Sequence, residues 1–213
     1  KTVKGPLKVD CIYRRLDDTF MDPKAFFKGS LIGVPGLFKA WRKGNVGILN
    51  APGTGIADDK AIYSYVDKMI VYYLGEQPKI QQVETLLCSE KIHREHVIEN
   101  ISKFVVKPTN GSGGNGILIG PHASKKNREE MKKNILKNPR NYIAQPLEIL
   151  STTPTITDNS IEPRHLDLRP FVLSGKSTWV TTGGLTRVAL KKGSTIVNSS
   201  QGGGSKDTMI IDM

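Results

Sequence analysis

Cysteine and histidine are scarce in this sequence, which limits the metal and redox chemistry it can support. Its 213 residues include two cysteines and four histidines. Cys11 and Cys88 lie far apart without the short spacing of metal ligands, so we expect them to be reduced, buried thiols. His93 and His96 are three residues apart on a predicted helix, but a third ligand is missing. We therefore expect the histidines to be surface or packing residues, and no nucleophile–histidine pair can be argued from the sequence.

A long hydrophobic run is also absent. No segment approaches the roughly 18 apolar residues that a membrane-spanning helix requires, and no signal peptide opens the sequence. We therefore expect a cytoplasmic protein without a membrane partner. With 38% hydrophobic and 24% charged residues, the chain has enough apolar material for one large or two small domains.

Acidic residues are in the minority, and the formal net charge is +11. Such a charge favours an acidic partner, which can be a nucleic acid or a nucleotide, although solubility alone is a third explanation. The densest basic segment, residues 125–137, alternates charge signs and lacks the aromatic residues on which single-stranded nucleic acids stack. This pattern indicates a solvated helix face and argues against nucleic-acid binding as the main activity.

The most informative segment is FVVKPTNGSGGNG (104–116), which is followed by ILIG. Two short runs of strand-forming residues flank four glycines, and this pattern predicts a hairpin. Because glycines leave backbone N–H groups uncovered, such a loop can lie against an anion, and Lys107 places a positive charge at its start. The segment predicts a phosphate-binding hairpin. A loop that binds nothing is the alternative, because a single glycine loop is weak evidence.

Three familiar glycine motifs do not fit this segment. Gly111-x-Gly113-x-x-Gly116 matches the dinucleotide fingerprint, but that fingerprint opens a helix, whereas ILIG predicts a strand. A P-loop needs a lysine directly after its last glycine, and Ile117 stands there. The partner motifs of protein kinases, His-Arg-Asp and Asp-Phe-Gly, do not occur.

The remaining patterns predict an α+β fold with a small α/β layer at the N-terminus. Residues 1–82 alternate strand and helix patterns, which favours a parallel sheet. Tyr65, Tyr73, Trp41 and Trp179 lie on periodic apolar stripes, so we expect them in the core. The expected elements are strands at 7–15, 46–49, 83–88, 104–106 and 117–120, an edge or hinge strand at 142–150, and antiparallel strands from residue 165. They also include helices at 36–43, 60–73, 89–101 and 124–137, a polar turn at 151–160 and a second glycine loop at 198–207.

Seven segments, taken in order, resemble the ATP-grasp superfamily, and more closely its circularly permuted members near glutathionylspermidine synthetase. They are VDCIYRR (9–15), NAPGTGIADDK (50–60), FVVKPTNGSGGNG (104–116), YIAQPLEIL (142–150), HLDLRPFVL (165–173), GGLTRVA (183–189) and NSSQGGGSKDT (198–208). Each motif is weak alone, but their shared order covers essentially the whole chain. The resemblance implies an ATP-grasp fold, incomplete in this chain, with a pre-ATP-grasp domain at 1–82, a glycine-loop lobe at 83–145 and a β-rich lobe at 146–213.

The same resemblance implies a nucleotide site. Lys107 and the glycine loop match the parts that meet the phosphates, and residues 145–148 match the hinge strand along adenine and ribose. The ATP-binding residues implied in this way are Lys60, Lys107, Gly111, Ser112, Gly113, Gly114, Gln145, Pro146, Leu147 and Glu148. Residues expected towards the acceptor substrate are Arg14, Arg15, Asn198, Gln201, Gly202 and Gly203.

Arg169 and Arg187 are the expected catalytic residues, because they look like the strand arginines that hold the γ-phosphate or the acyl phosphate in this superfamily. Phosphoryl transfer onto a carboxylate depends on positioning and charge neutralisation, so cationic groups must converge on one point. A guanidinium suits both phosphate and carboxylate. An ordinary salt bridge between Arg169 and Asp167 is the alternative.

The carboxylates that hold Mg²⁺ in ATP-grasp ligases, an Asp and a Glu-x-Asn motif, have no suitable match here. Asp167 and Asn198 are weak local candidates, and each is better explained as a polar strand or loop residue. The sequence therefore predicts a fragment that does not turn over alone. Its parent would be a carboxylate–amine ligase that uses ATP and Mg²⁺ to form an amide through an acyl phosphate.

Two alternatives remain for the function. One is a catalytically incomplete nucleotide-binding module that acts by binding a partner, and the other is a basic polyanion binder. The expected substrates are small-molecule or peptide carboxylates and amines, and the sequence identifies neither of them nor the oligomeric state.

Overall fold

The computed structural model describes residues 3–111, 114–157, 160–195, 197 and 203–209. In these ranges the chain forms strands in three sheets together with α-helices, which confirms a mixed α and β fold. The strands are β1 Cys11–Tyr13, β2 Gly47–Leu49, β3 Leu86–Leu87, β4 Phe104–Pro108, β5 Leu118–Ile119, β6 Tyr142–Pro146, β7 Thr152–Ile156, β8 Ile161–Ser174, β9 Thr178–Ala189 and β10 Gly203–Met209. The helices are α1 Asp18–Met21, α2 Leu37–Arg42, α3 Lys60–Tyr63, α4 Val66–Leu74, α5 Lys91–Glu99 and α6 Lys125–Lys137.

The N-terminal layer is built on two short strands. β1 and β2 pair in parallel, as predicted, and α2 lies between them in sequence. The buried carboxylate of Asp22 accepts hydrogen bonds from the backbone N–H groups of Lys24, Gly36 and Phe38, which fixes the start of α2. Burial alone would raise the pKa of Asp22, but these donors outweigh it and hold that pKa below its ordinary value.

The predicted helix at 60–73 is interrupted. α3 ends at Tyr63 and α4 begins at Val66, and the prediction that the tyrosines of this stripe are core residues is wrong. Tyr65 is 41% exposed and Tyr73 is 76% exposed, because no element in the described part of the chain covers this side of α4. Trp41 is half-buried and stacks on Phe38.

The central sheet has the order β3-β6-β4-β5, and every neighbouring pair is antiparallel. β4 and β5 form the predicted hairpin across the glycine loop. β6 lies inside the sheet, so of the two alternatives predicted for 142–150 the edge strand is wrong for Tyr142–Pro146, and the hinge strand stays a prediction. The strand ends at Pro146, since proline has no N–H with which to continue the ladder.

Helices α5 and α6 cover one face of the central sheet and form the main core with it. Ser124 caps α6 by accepting a hydrogen bond from the N–H of Asn127, whereas α5 begins after Glu90 without a side-chain cap. The buried members of this cluster are Leu86, Cys88, Val97, Ile101, Phe104, Val106, Leu118, Ile135 and Ala144. Gly120 directly follows β5 and lies against the carbonyl oxygens of Ile101 and Phe104, where a Cβ would overlap them.

The two cysteines are both free thiols, as predicted, but only one is buried. Burial raises the pKa of the Cys88 thiol to about 11, so this residue acts as a small core hydrophobe. Cys11 is exposed on β1, and the expectation that it is buried is wrong because the two-stranded sheet is too small to cover it.

The second sheet has the order β10-β9-β8-β7 and is antiparallel throughout. It corrects two predictions. The segment expected to be a polar turn contains β7, and the second half of the expected second glycine loop, 203–207, belongs to strand β10, which pairs with β9 from Gly203 to Met209. Pairing with a long neighbouring strand outweighs the low strand propensity of glycine and small polar residues. Residues 198–202 lie outside the described residues.

Strands β8 and β9 continue beyond their neighbours as a two-stranded arm. Val172 pairs with Val180 and Leu173 pairs with Trp179, and all four side chains are exposed. The prediction that Trp179 is a core residue is therefore wrong, since nothing in the described chain packs on the arm. The proposed domain limits at 82 and 145 remain predictions.

Candidate functional site

Lys107 lies near the end of β4, immediately before the glycine loop. Strand alternation sends Phe104 and Val106 into the core under α5 and α6 and places Lys107 on the opposite face of the sheet. Its ammonium Nζ donates a hydrogen bond of 2.6 Å to Oε1 of Gln145 on β6. The amide of Gln145 is oriented in turn, because its Nε2 donates to Oγ1 of Thr85 at 2.8 Å. A short polar chain thus fixes the position of the ammonium.

Lys107 carries a charge that its amide partner does not neutralise. The side chain is half-buried, and burial, together with the nearby ammonium of Lys60, lowers the pKa of Lys107 below its ordinary value. An anion placed here would stabilise the protonated form. The electrostatics of this position therefore favour binding of a negatively charged group.

Lys60 approaches the same loop from α3. Its Nζ donates a hydrogen bond of 2.8 Å to the carbonyl oxygen of Gly111. Its backbone N–H donates to the carbonyl oxygen of Thr109 at 3.0 Å, and Thr109 is buried. Two ammonium groups from different elements, those of Lys60 and Lys107, thus lie around the start of the glycine loop.

The glycine loop uses conformations that favour glycine. Gly111, Gly114 and Gly116 have φ values of +122°, +83° and +72°. A Cβ on Gly111 would meet nothing, so glycine is required there by the backbone conformation and not by crowding. The predicted site residues Ser112 and Gly113 lie outside the described residues.

The predicted hinge residues divide into two groups. Gln145 and Pro146 belong to β6, and the Gln145 side chain contacts Lys107 and Thr85. Leu147 and Glu148 follow the strand without regular structure, and Glu148 is exposed. Contacts of these residues with adenine or ribose remain predictions.

Arg169 and Arg187 converge on one carboxylate in the second sheet. Asp167 on β8 lies directly opposite Arg187 on β9, which binds both carboxylate oxygens at 3.1 and 2.7 Å. Arg169, two residues along β8, reaches Oδ2 of Asp167 at 3.3 Å. The hydrogen bond from Arg187 holds the pKa of Asp167 below its ordinary value, and the same pair raises the pKa of Arg187.

This arrangement contains the salt bridge that the sequence left as the alternative, and it adds a second arginine to it. The guanidinium groups nevertheless lie side by side, with Arg169 half-exposed. A phosphate or carboxylate arriving there would compete with Asp167 for them. The catalytic role of Arg169 and Arg187 remains a prediction.

The described residues do not fit a magnesium site. Both carboxylate oxygens of Asp167 are hydrogen-bonded to arginine, which leaves this weak candidate poorly suited to bind a cation. No cluster of three or more His, Cys, Asp or Glu side chains with metal-binding geometry occurs among the residues that the structure describes. His96 packs against the ring of Phe104 and His93 pairs with Glu90, as expected for packing and surface residues. Asn198, the other candidate, lies outside the described residues.

Most of the predicted acceptor-site residues either have a structural role in the described chain or lie outside the described residues. Arg14 is buried and donates hydrogen bonds to the carbonyl oxygens of Leu16, Asn50 and Ala51, which ties the 50–51 turn to the end of β1. This is a structural role that its place in the sequence did not reveal. Arg15 is exposed, and Gly203 is the first residue of β10. Gln201 and Gly202, like Asn198, lie outside the described residues.

Sequence reasoning missed the residues that hold Lys60 in place. Asp59 caps α3 by accepting a hydrogen bond from the N–H of Ala61, and its other oxygen pairs with Arg140 at 2.9 Å. Burial opposes ionisation of Asp59, but the hydrogen bonds from Arg140 and Ala61 and the charges of Arg140 and Lys60 together outweigh it, and the pKa of Asp59 is lowered. The aspartate before a helix was a detectable capping signal. Arg140 carried no signal, because it is 81 residues away in the sequence.

The chain thus has a lysine-flanked glycine hairpin in one antiparallel sheet and convergent arginines in a second antiparallel sheet. The sequence model of the circularly permuted ATP-grasp type 2 family matches residues 1–189, and the chain belongs to this family. Proteins of the ATP-grasp family are ATP-dependent and normally use Mg²⁺.

Similar proteins are longer than this chain. An uncharacterized protein of Synechocystis is 53% identical over 99% of the chain, and the match covers 44% of that protein. An uncharacterized protein of Mycobacterium tuberculosis H37Rv is 50% identical over 99% of the chain, which is 38% of that protein. A Frankia casuarinae protein with the name "Putative glutamate–cysteine ligase 2-2" is 48% identical over 95% of the chain and 23% of its own length. The chain thus spans less than half of the relatives it matches.

No helix in the described part of the chain combines the length and apolar character needed to cross a bilayer.

Proposed function

We propose that this chain is the ATP-binding module of an ATP-dependent carboxylate–amine ligase. The observation that carries the proposal is the arrangement of Lys60 and Lys107 around a glycine loop whose backbone is free of side chains at Gly111. Family membership and the ligase name of the Frankia relatives support it. Because the aligned part is less than a quarter of those relatives, their substrates are not transferred to this chain.

In the proposed reaction the γ-phosphoryl group of ATP passes to a substrate carboxylate, which gives an acyl phosphate and ADP. Attack by an amine then forms the amide and releases inorganic phosphate. Lys107 and the glycine loop would bind and orient the phosphates, and Arg169 and Arg187 would stabilise the negative charge of the transferring group. No step is assigned to Mg²⁺, because the described residues do not form a site for it.

A second candidate is a nucleotide-binding module that lacks catalytic activity. The absence of a carboxylate cluster from the described residues favours it for this chain taken alone. The basic polyanion binder is supported by the charge of +11 only. A polyanion binder would differ from a nucleotide-binding module in two ways: its binding would weaken steeply with salt, and it would show no preference for ATP.

Calorimetric titration of the chain with ATP, with and without Mg²⁺, tests the proposal. The Lys107→Ala variant should bind ATP about tenfold to a hundredfold more weakly, as expected for loss of a charge-assisted contact to phosphate. Lys126→Ala is the matched control, because Lys126 is exposed on α6 and its loss changes the net charge equally. Equal weakening by both variants would instead support polyanion binding. Absence of ATP binding to the wild-type chain under both conditions would contradict the proposal.

A further inference from the structure

Lys60 belongs to a different part of the chain from the loop that it contacts. It is the first residue of α3, 51 positions before Gly111, whereas Lys107 and the loop share one hairpin. Its ammonium donates to a backbone carbonyl of the loop, that of Gly111. The contact therefore acts on the position of the loop backbone itself.

The segment around Lys60 is attached to the central sheet at several points. Asp59 pairs with Arg140 just before β6, and Ala61 packs in a buried cluster with Leu87 of β3 and Ile143 of β6. The backbone N–H of Lys60 donates to Thr109, whose own N–H donates to the carbonyl oxygen of Asn141. These contacts leave the backbone of Lys60 little freedom relative to the sheet.

Gly111 is a loop residue whose backbone conformation such a contact can stabilise. Its φ of +122° lies where side-chain-bearing residues are rarely found, and glycine loses more conformational entropy on ordering than other residues. A charge-assisted hydrogen bond to its carbonyl offsets part of that cost. The loop start is thus held between Thr109, fixed by the sheet, and Gly111, fixed by Lys60.

We propose that Lys60 is a positioning residue that orders the start of the glycine loop at Gly111 before nucleotide binds, by holding the Gly111 carbonyl from the N-terminal segment. The effect on nucleotide affinity rests on the proposed function, whereas the effect on the loop does not. Order imposed in advance at Gly111 lowers the conformational entropy that is lost when a ligand binds there. Loop order then depends on the docking of residues 59–61 on the sheet.

The test is an NMR relaxation measurement on the ligand-free chain, followed by calorimetry with ATP. In Lys60→Met the backbone order parameters of Gly111, Gly114 and Gly116 should fall to about 0.6 or lower, while those of α6 stay near 0.85. Lys60→Arg should restore loop order, because a guanidinium can also donate to the carbonyl. Lys126→Met is the control with the same loss of charge, and it should leave the loop unchanged.

The ATP affinity of Lys60→Met should fall about tenfold, in line with the loss of one charge-assisted hydrogen bond, and Lys60→Arg should recover most of it. Unchanged loop order in Lys60→Met would overturn the inference, and weaker ATP binding with an unchanged loop would make Lys60 a direct phosphate contact instead. Asp59→Asn provides a second variant, which should also lower the order parameters of the loop glycines, by a smaller amount. If the wild-type chain binds no ATP, the proposed function fails, while the relaxation data still decide the inference.

Discussion

The two four-stranded sheets of this protein have the same strand number and the same antiparallel pairing, yet they are stabilised differently. The central sheet has short strands, of two to five residues, and is covered by α5 and α6 on one face and by Ala61 of α3 on the other. The second sheet has strands of up to 14 residues, and most of its large apolar side chains are exposed. Of these two sheets, the one with the shorter strands is thus the better buried.

This difference shows what holds each group of candidate residues in place. Lys107 projects from a sheet whose opposite face is packed, so its position is fixed by the core and by the Gln145–Thr85 chain. Arg169 and Arg187 project from a sheet with little packing, and their positions depend on Asp167. We therefore expect the phosphate-binding lysine to depend on apolar packing and the arginines to depend on charge.

Replacing Ile135 should give the largest effect. Ile135→Ala removes a fully buried side chain of α6 from the central core, and the resulting cavity should lower the free energy of unfolding by about 2–5 kcal/mol. Chemical denaturation measures this value. Leu136→Ala is the control on the same helix, since Leu136 is 62% exposed, and it should cost less than about 0.5 kcal/mol. Equal losses of unfolding free energy in the two variants would mean that the core does not stabilise the central sheet.

An intermediate effect is expected at Asp167, and it should depend on pH. A carboxyl group whose pKa is lowered by folding contributes stability that is present above its unfolded pKa of about 3.9 and is lost as the pH falls through the folded value. Asp167→Asn should therefore reduce the free energy of unfolding by about 1 kcal/mol at pH 7, and the difference from wild type should shrink below about pH 4.

Thermal unfolding of both proteins across this pH range checks the prediction. Asp207→Asn is the control, because Asp207 is an exposed residue of β10 in the same sheet. If the difference in unfolding free energy between Asp167→Asn and wild type stays constant down to pH 3, the charge of the Asp167 carboxylate does not hold the two arginines in place.

The smallest effect is expected on the arm of β8 and β9. Trp179 is 54% exposed and faces Leu173 across the pair, so Trp179→Ser should change the free energy of unfolding by no more than about 0.5 kcal/mol. Chemical denaturation with circular dichroism detection measures it. A loss above about 2 kcal/mol would mean that the arm is covered in solution, and the contrast between the two sheets would then disappear.

Local sequence patterns correctly predicted the elements that depend mainly on interactions between residues close together in the sequence. The β4–β5 hairpin, the helix at 124–137 and the antiparallel character of the region after residue 165 followed from periodicity, glycines and charge pattern. The same patterns failed for β7 and β10, because a polar or glycine-rich segment becomes a strand only when a neighbouring strand is available to pair with it.

The sequence by itself determined the family, the lysine-flanked glycine loop and the excess of positive charge, since each of these depends only on which residues occur and in what order. Only the tertiary structure decided which partner each charged side chain takes. It joined Lys60 to Gly111, Asp59 to Arg140 and Asp167 to Arg187. The partners in these pairs are 20 to 81 residues apart in the chain. Such pairs depend on how the sheets and helices pack, because a charge interacts with whatever the fold brings within a few ångströms, regardless of separation along the chain.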